Sequence, residues 1–333
     1  MNFLKQLQKL AFGVALASTL TVPAFAQEVW SMGSAKRAPD IGATFDEETV
    51  AALLGATDAV ENVEIQFIGN EQEMIQQVIR GRLNMGGSTP LGLAAAFPDI
   101  SVLNVPYLWD DAEQRQYVYE NHVIPQLNET FASSGLVVLS VQEAGFNGVF
   151  CTFDCSDPAT LKEKRIRVSA SASSRLFWDS LGSMAIQLPL PDTWSALEQG
   201  LVVAGELPIA YFATTPAAAT AKHFVYTDHT HSPWIYFVNK RSWSKLSEED
   251  QKAVLEAMPG AFSTSERFFA DNDARATSFT DNGGTLYKLD DAQRKAWADL
   301  VVPNIGKLVE EMSPGARKLY EAIEAGKKEY AAR

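Results

Sequence analysis

Residues 161–208, LKEKRIRVSASASSRLFWDSLGSMAIQLPLPDTWSALEQGLVVAGELP, decide how this chain is read. Within them Arg167 stands between Ile166 and Val168 in a short run that reads as a β-strand. Side chains alternate faces along a strand, so the two apolar neighbours can enter a core while the guanidinium points the other way. Arginine stays charged at cellular pH and presents a planar fork of donors that matches a carboxylate. Such an arginine lies either on a wet sheet edge or in a pocket that receives an anion. The rest of the chain has to choose between them.

Around Arg167 the pattern alternates strand and helix. Residues 173–181 read as a helix, 185–188 as a strand, and 192–200 as a helix capped by Asp192 and stopped by Gly200. Upstream, 148–153 reads as a strand and 136–143 as a continuous apolar one. Nearer the start, strands at 28–32, 63–68 and 83–86 alternate with helices at 45–55 and 70–80, which points to a parallel sheet with helices outside. An acidic helix follows at 110–134, with Pro125 as its break point. Downstream lies a strand at 234–239. Residues 261–282 contain neither Gly nor Pro; as one helix they would span on the order of 33 Å, long enough to brace two lobes. Residues 290–330 read as mostly helical. No low-complexity linker separates these blocks. The expectation is two α/β lobes joined by crossing strands, with a ligand cleft between them.

Residues 1–26 read as an export signal: Lys5 and Lys9, an apolar run at 10–20, then Ala24-Phe25-Ala26 as a cleavage site. Cleavage after Ala26 would remove 26 of the 333 residues and leave 307, two lysines poorer, so net charge would move from −13 to −15. That balance argues against nucleic acid or anionic lipid as the main partner, since both need a basic face. An anionic ligand would need a local positive site. Cys151 and Cys155, in CTFDC, fit a local disulfide in an oxidising compartment, with Asp154, Asp157 and Pro158 favouring a turn. The C-x3-C spacing is not a usual redox or zinc pattern.

The chain resembles the periplasmic solute-binding subunits of TRAP (tripartite ATP-independent periplasmic) transporters, of the DctP-like type, over roughly residues 28–327. The family's L-K-G-x-K-I-R-V-P appears as Leu161-Lys162-Glu163-Lys164-Arg165-Ile166-Arg167-Val168-Ser169. Its E-V-Y-x-A-L-Q-x-G-V-V-D-G-Q-E-N-P appears from Asp192-Thr193-Trp194 to Glu206-Leu207-Pro208. Its H-T-Y-S-P run appears as His229-Thr230-His231-Ser232-Pro233, followed by Val238-Asn239 and Trp243-x-x-Leu246.

The resemblance implies an α/β, two-lobed periplasmic binding protein fold with mixed sheets, a ligand cleft between lobes and a long bracing helix. Lobe I would comprise 27–146 plus 236–275, and lobe II 147–235 plus 276–333. It also implies a periplasmic location, and capture of a small organic acid whose carboxylate pairs with Arg167. Cleft closure and delivery to integral membrane TRAP subunits would follow. A monomer is expected, without catalysis, metal or cofactor. Ser88, Thr89, Phe146, Asn147, Leu190, Trp194, Leu207 and Tyr211 fall where the family's cleft residues lie, as does the loop 33–37, whose Lys36 or Arg37 would give a second positive contact. Phe146, Trp194, Tyr211 and Trp234 would either stack on a flat ligand or belong to the core.

Three departures bear on specificity. Leu207 stands where the family has Asn, Leu190 where an aromatic is frequent, and Val149-Phe150 follow Asn147-Gly148 where several acid binders carry a second arginine. These point to a smaller or more apolar monocarboxylate, such as an oxo acid or aromatic acid. The competing readings are an exported metal-dependent hydrolase using His229 and His231, whose H-x-H spacing suits a metal on a strand, and a ligand-sensing partner of a membrane receptor.

Overall fold

The computed structural model describes residues 28–333; the expected leader at 1–26 lies outside the described residues. Strands β1 (Glu28–Ser34), β2 (Val60–Phe67), β3 (Met85–Ser88) and β4 (Leu136–Gln142) come first. Next are β5 (Phe146–Cys151), β6 (Arg165–Val168), β7 (Met184–Gln187), β8 (Ala204–Leu207) and β9 (His223–His231). Strands β10 (Trp234–Asn239) and β11 (Thr285–Lys288) complete the set.

They form two sheets, ordered β2-β1-β3-β10-β4 and β11-β9-β5-β8-β6-β7. Both are mixed. In the first, β1 is parallel to β2 and β3, and β10 enters antiparallel between β3 and β4. Within this sheet the parallel pairing is therefore confined to three strands, because β10 returns from the second sheet in the opposite direction. Two short segments link the sheets: 143–145, from β4 to β5, and 232–233, from β9 to β10.

Alternation explains why β10 is central. Ile235 and Phe237 belong to one apolar cluster, while Trp234, Tyr236 and Val238 belong to a second on the opposite face. Both faces are covered, as a strand with no polar alternation requires. The second sheet repeats the arrangement, with Val149 and Cys151 of β5 on one side and Phe150 on the other. Cys151 is disulfide-bonded to Cys155, their Cα atoms 6.4 Å apart, and both are fully buried.

The 110–134 segment is not one regular helix. A helix at Ala112–Val118 passes through a π-turn at Tyr119–Val123 into Ile124–Ala132, with Pro125 in the first turn of the last piece. The wider turn accommodates the missing proline N–H. The bracing helix runs Ser265–Asp281, 17 residues, and is shorter than expected because Phe262 takes a φ of 58° just before it. It still touches both lobes. Phe268 packs with Phe45 and Ala210, while Ala276 and Phe279 pack under the second sheet.

The C-terminal helix Pro314–Ala331 departs from the expected partition. Its Ala316, Leu319 and Ile323 are buried in the core of the first sheet, so this part of 276–333 packs with lobe I. The apolar stripe shows that one face is buried but not against which core.

Candidate ligand-binding site

Arg167 lies on the middle strand of three parallel ones, with β7 on one side and β8 on the other. Ile166 and Val168 are fully buried in one core, and the guanidinium projects from the opposite face. The wet-edge alternative is excluded: Arg167 is 6% exposed and lines a cavity of about 90 Å³ between the lobes. Its Nε donates to the Leu188 carbonyl at 3.1 Å. Among the described residues its terminal nitrogens have no hydrogen-bond acceptor, which leaves the planar fork available to a ligand.

Beneath Arg167 sits Glu206 of β8, 1% exposed. Its carboxylate lies 2.8 Å from His229 Nε2 and accepts from the Ser174 hydroxyl. His229 Nδ1 is 2.7 Å from the Thr227 hydroxyl, and the ring stacks on Phe177 with centroids 3.6 Å apart. Burial pushes the Glu206 carboxyl up, but His229, Ser174 and Arg167 outweigh it and hold it below the ordinary range. Burial pushes the Arg167 guanidinium down from its ordinary value, opposed by Glu206 and Glu71.

Lobe I contributes a cluster of opposite character. Lys36 Nζ pairs with Asp46 at 2.6 Å, donates to the Tyr236 hydroxyl at 3.0 Å, and sits 3.8 Å from the Trp234 ring centroid. Tyr236 in turn donates to Asp46 at 2.8 Å. Lys36 is thus committed within its own lobe; burial, only partly offset by Asp46, lowers its pKa. Two further acids line the cavity. Asp40 caps the helix Ile41–Ala56 by accepting from the Gly42 N–H at 2.8 Å. Glu71, in the first turn of the helix Glu71–Ile79, accepts from the Ser88 hydroxyl at 3.0 Å. Burial raises both carboxyls, and for Glu71 the opposing hydrogen bonds and cations do not overcome it. Among the described residues no cation lies within ion-pair distance of Glu71.

Asn147 adds an unusual signal. It is fully buried and lines the cavity, and neither its side-chain oxygen nor its nitrogen has a hydrogen-bond partner. The β5–β9 ladder is irregular between Asn147 and Val149, and such an irregularity re-aims a side chain out of the sheet. Trp234 Nε1, also at the cavity, is likewise unpartnered. Buried polar atoms of this kind are costly unless a ligand or water pairs them.

Of the residues singled out from sequence, Arg167, Thr89, Asn147, Leu190, Leu207 and Tyr211 line the cavity, and so do Lys36 and Trp234. Phe146, Trp194 and Ser88 do not. Phe146 packs beside His231 and Arg115, Trp194 lies against the second sheet's apolar cluster, and Ser88 stands behind Glu71. Arg37 stacks on Phe67 instead. Asp40 and Glu71 were missed, because an acid at a helix start is ordinarily explained by the helix itself.

The histidine pair does not form a metal site. His229 is held by Glu206, whereas His231 Nε2 lies 2.7 Å from Glu143, a different carboxylate. Among the described residues no group of three or more His, Cys, Asp or Glu is placed to hold a metal, and no helix is long and apolar enough to cross a membrane. What the arrangement can do is hold a small molecule with a charged end on Arg167.

Comparison with known proteins gives a consistent result. The profile of the family described as bacterial extracellular solute-binding protein, family 7, matches residues 60–312. The 2,3-diketo-L-gulonate-binding periplasmic protein YiaO of Escherichia coli is 25% identical over 258 residues, 77% of this chain and 78% of that protein. A TRAP periplasmic solute-binding protein from Desulfovibrio salexigens, solved with bound orotic acid, superposes with a TM-score of 0.81 at 20% identity, covering 90% of this chain and 99% of the other. The periplasmic ectoine-binding protein of the Halomonas elongata TRAP transporter also reaches 0.81, at 18% identity, covering 91% of this chain and all (100%) of the other.

Proposed function

The chain belongs to the bacterial extracellular solute-binding protein family 7, and from that membership we propose that it captures a small organic acid for a TRAP transporter, with the ligand's carboxylate on Arg167. The ligand enters between the lobes, and closure buries it. Only the ligand's preference for the closed form shifts that equilibrium. The loaded protein then docks on integral membrane subunits in the periplasm and releases its cargo. The relatives are named for, or solved with, 2,3-diketo-L-gulonate, orotic acid and ectoine, all of them small molecules.

The observation that carries this reading is the buried guanidinium with a free donor fork inside the cavity between the lobes. A carboxylate there forms two charge-assisted hydrogen bonds, and apolar walls such as Leu190 and Leu207 strengthen them by excluding water. The test is a thermal-shift panel of small carboxylates beside their primary amides. Carboxylates that raise the melting temperature, with amides that do not, are the expected outcome. Stabilisation by the amides equal to that by the acids would reject a carboxylate anchor.

A further inference from the structure

We infer that the ligand is dipolar: a small carboxylate that also carries a protonated nitrogen, its carboxylate on Arg167 and its cationic end against Glu71 and Asp40 on the opposite lobe. The inference deepens the proposed function and rests on the carboxylate reading of Arg167.

The charge inventory of the cavity leads to it. Lobe II offers one cation, Arg167, backed by Glu206. Lobe I offers Lys36, already neutralised by Asp46, together with Asp40 and Glu71, while Glu143 at the crossing also lines the cavity but is already paired with Arg115. Glu71 and Arg167 act on each other electrostatically across the cavity but are not in ion-pair contact, and Tyr211 feels Glu71, Asp40 and Arg167 together. The three charged groups therefore converge on one space, positive on one wall and negative on the other. A simple carboxylate placed there satisfies Arg167 and adds a further negative charge beside two buried acids, which is penalised in a site of low polarity. A dipolar molecule satisfies both walls and leaves the buried net charge unchanged.

Asn147 is an independent observation in the same direction. Its amide presents both an acceptor and a donor without partners. A carboxylate is acceptor-only, so it can pair the Asn147 nitrogen but not the oxygen. A ligand that also carries a donor, N–H or O–H, can pair both. The apolar acid expected from Leu190 and Leu207 would leave that oxygen, Glu71 and Asp40 all facing apolar surface.

The position of Glu71 and Asp40 also gives the charge a role in closure. Each lobe holds one half of the recognition, so a dipolar ligand gains its second contact only when the lobes meet. An acid lacking the nitrogen would bind lobe II without that gain.

The test uses three matched series of straight-chain acids of two to six carbons, ending in ammonium, hydroxyl or methyl. Each is titrated by thermal shift and calorimetry into the full-length mature protein, Glu71→Gln and Arg167→Ala. At one chain length the ammonium acid should bind at least tenfold more tightly than its hydroxyl and methyl counterparts. Glu71→Gln should erase that advantage, and Arg167→Ala should abolish binding of all three. Calorimetry in buffers of different ionisation enthalpy should show no net proton uptake with the ammonium acid. The inference is overturned if the methyl or hydroxyl acid binds as tightly as its ammonium partner, if Glu71→Gln leaves the preference intact, or if no ammonium acid binds. In the first case, loss of binding in Arg167→Ala would show that the carboxylate anchor stands while the dipolar ligand falls. Retained binding in Arg167→Ala would reject the anchor itself.

Discussion

Glu143 is the hub at which the two lobes are joined, and replacing it by glutamine should cost about 3 kcal/mol of stability. Its carboxylate lies in the 143–145 crossing and accepts from Arg115 Nη2 at 2.8 Å, the Gly145 N–H at 2.8 Å and the Ser265 hydroxyl at 3.1 Å. It also lies 2.7 Å from His231 Nε2, at the start of the return crossing. Both crossings and two helices thus meet on one side chain that is 0% exposed. Burial raises its pKa, but His231 and Arg115 outweigh that and hold it at about 2 against an ordinary 4.5; burial also lowers the His231 pKa, so near neutrality Arg115 is the cation beside Glu143 and His231 adds its charge only in acid. At about 1.4 kcal/mol for each pH unit, the difference is worth about 3–4 kcal/mol. Removing one partner of a buried ion pair typically costs about 3–5 kcal/mol, and the amide oxygen retains some acceptance, so the lower end applies.

The pH dependence follows from the direction of the shift. A carboxyl with a depressed folded pKa stabilises the protein fully above its unfolded value and loses that contribution as pH falls through the folded one. The gap between wild type and Glu143→Gln should therefore be constant near neutrality and close as pH drops from about 4.5 towards 2. Urea unfolding at pH 7 and at pH 3 measures it. A gap below about 0.5 kcal/mol at pH 7, the range of ordinary surface substitutions, or one that does not narrow in acid, would refute the reasoning.

Other expectations follow from single contacts. The Cys151–Cys155 bond closes only a short loop, so Cys151→Ser with Cys155→Ser should cost about 2 kcal/mol in urea unfolding and leave ligand affinity unchanged; affinity loss above threefold would contradict this. Gly148→Ala should destabilise by about 2–3 kcal/mol, because a Cβ there would stand 2.7 Å from the Val225 carbonyl and 2.4 Å from the Phe224 ring. Unfolding curves that superpose on wild type would show that β5 and β9 are not in such contact.

How far the sequence was legible depended on the range of the interaction. The face of Arg167 was readable because strand alternation is local: Ile166 and Val168 determine where residue 167 points. The helix after Asn70 was readable in the same way, from the local spacing of its apolar residues, whereas the one expected at 45–55 begins four residues earlier, at Ile41 behind the Asp40 cap. Asp40 and Glu71 as cavity walls were not readable, because their meeting with Arg167 comes from lobe apposition across about a hundred residues of sequence. His229 and His231 looked like one motif, yet their carboxylate partners lie at Glu206 and Glu143, in different parts of the chain. The helix Pro314–Ala331 advertised a buried stripe but not its destination, which is the first sheet's core. Leu190 and Leu207 line the cavity, and taken without the two acids they understate the polarity of the other lobe.

The central claim is that a ligand carboxylate is held by Arg167. Its most direct test is a calorimetric titration of wild type and Arg167→Ala with the small molecule that elutes from the purified wild-type protein, identified by mass spectrometry. A buried carboxylate deprived of its partner loses about 3–5 kcal/mol, so affinity should fall by at least a hundredfold. Affinities within threefold of each other would contradict the account.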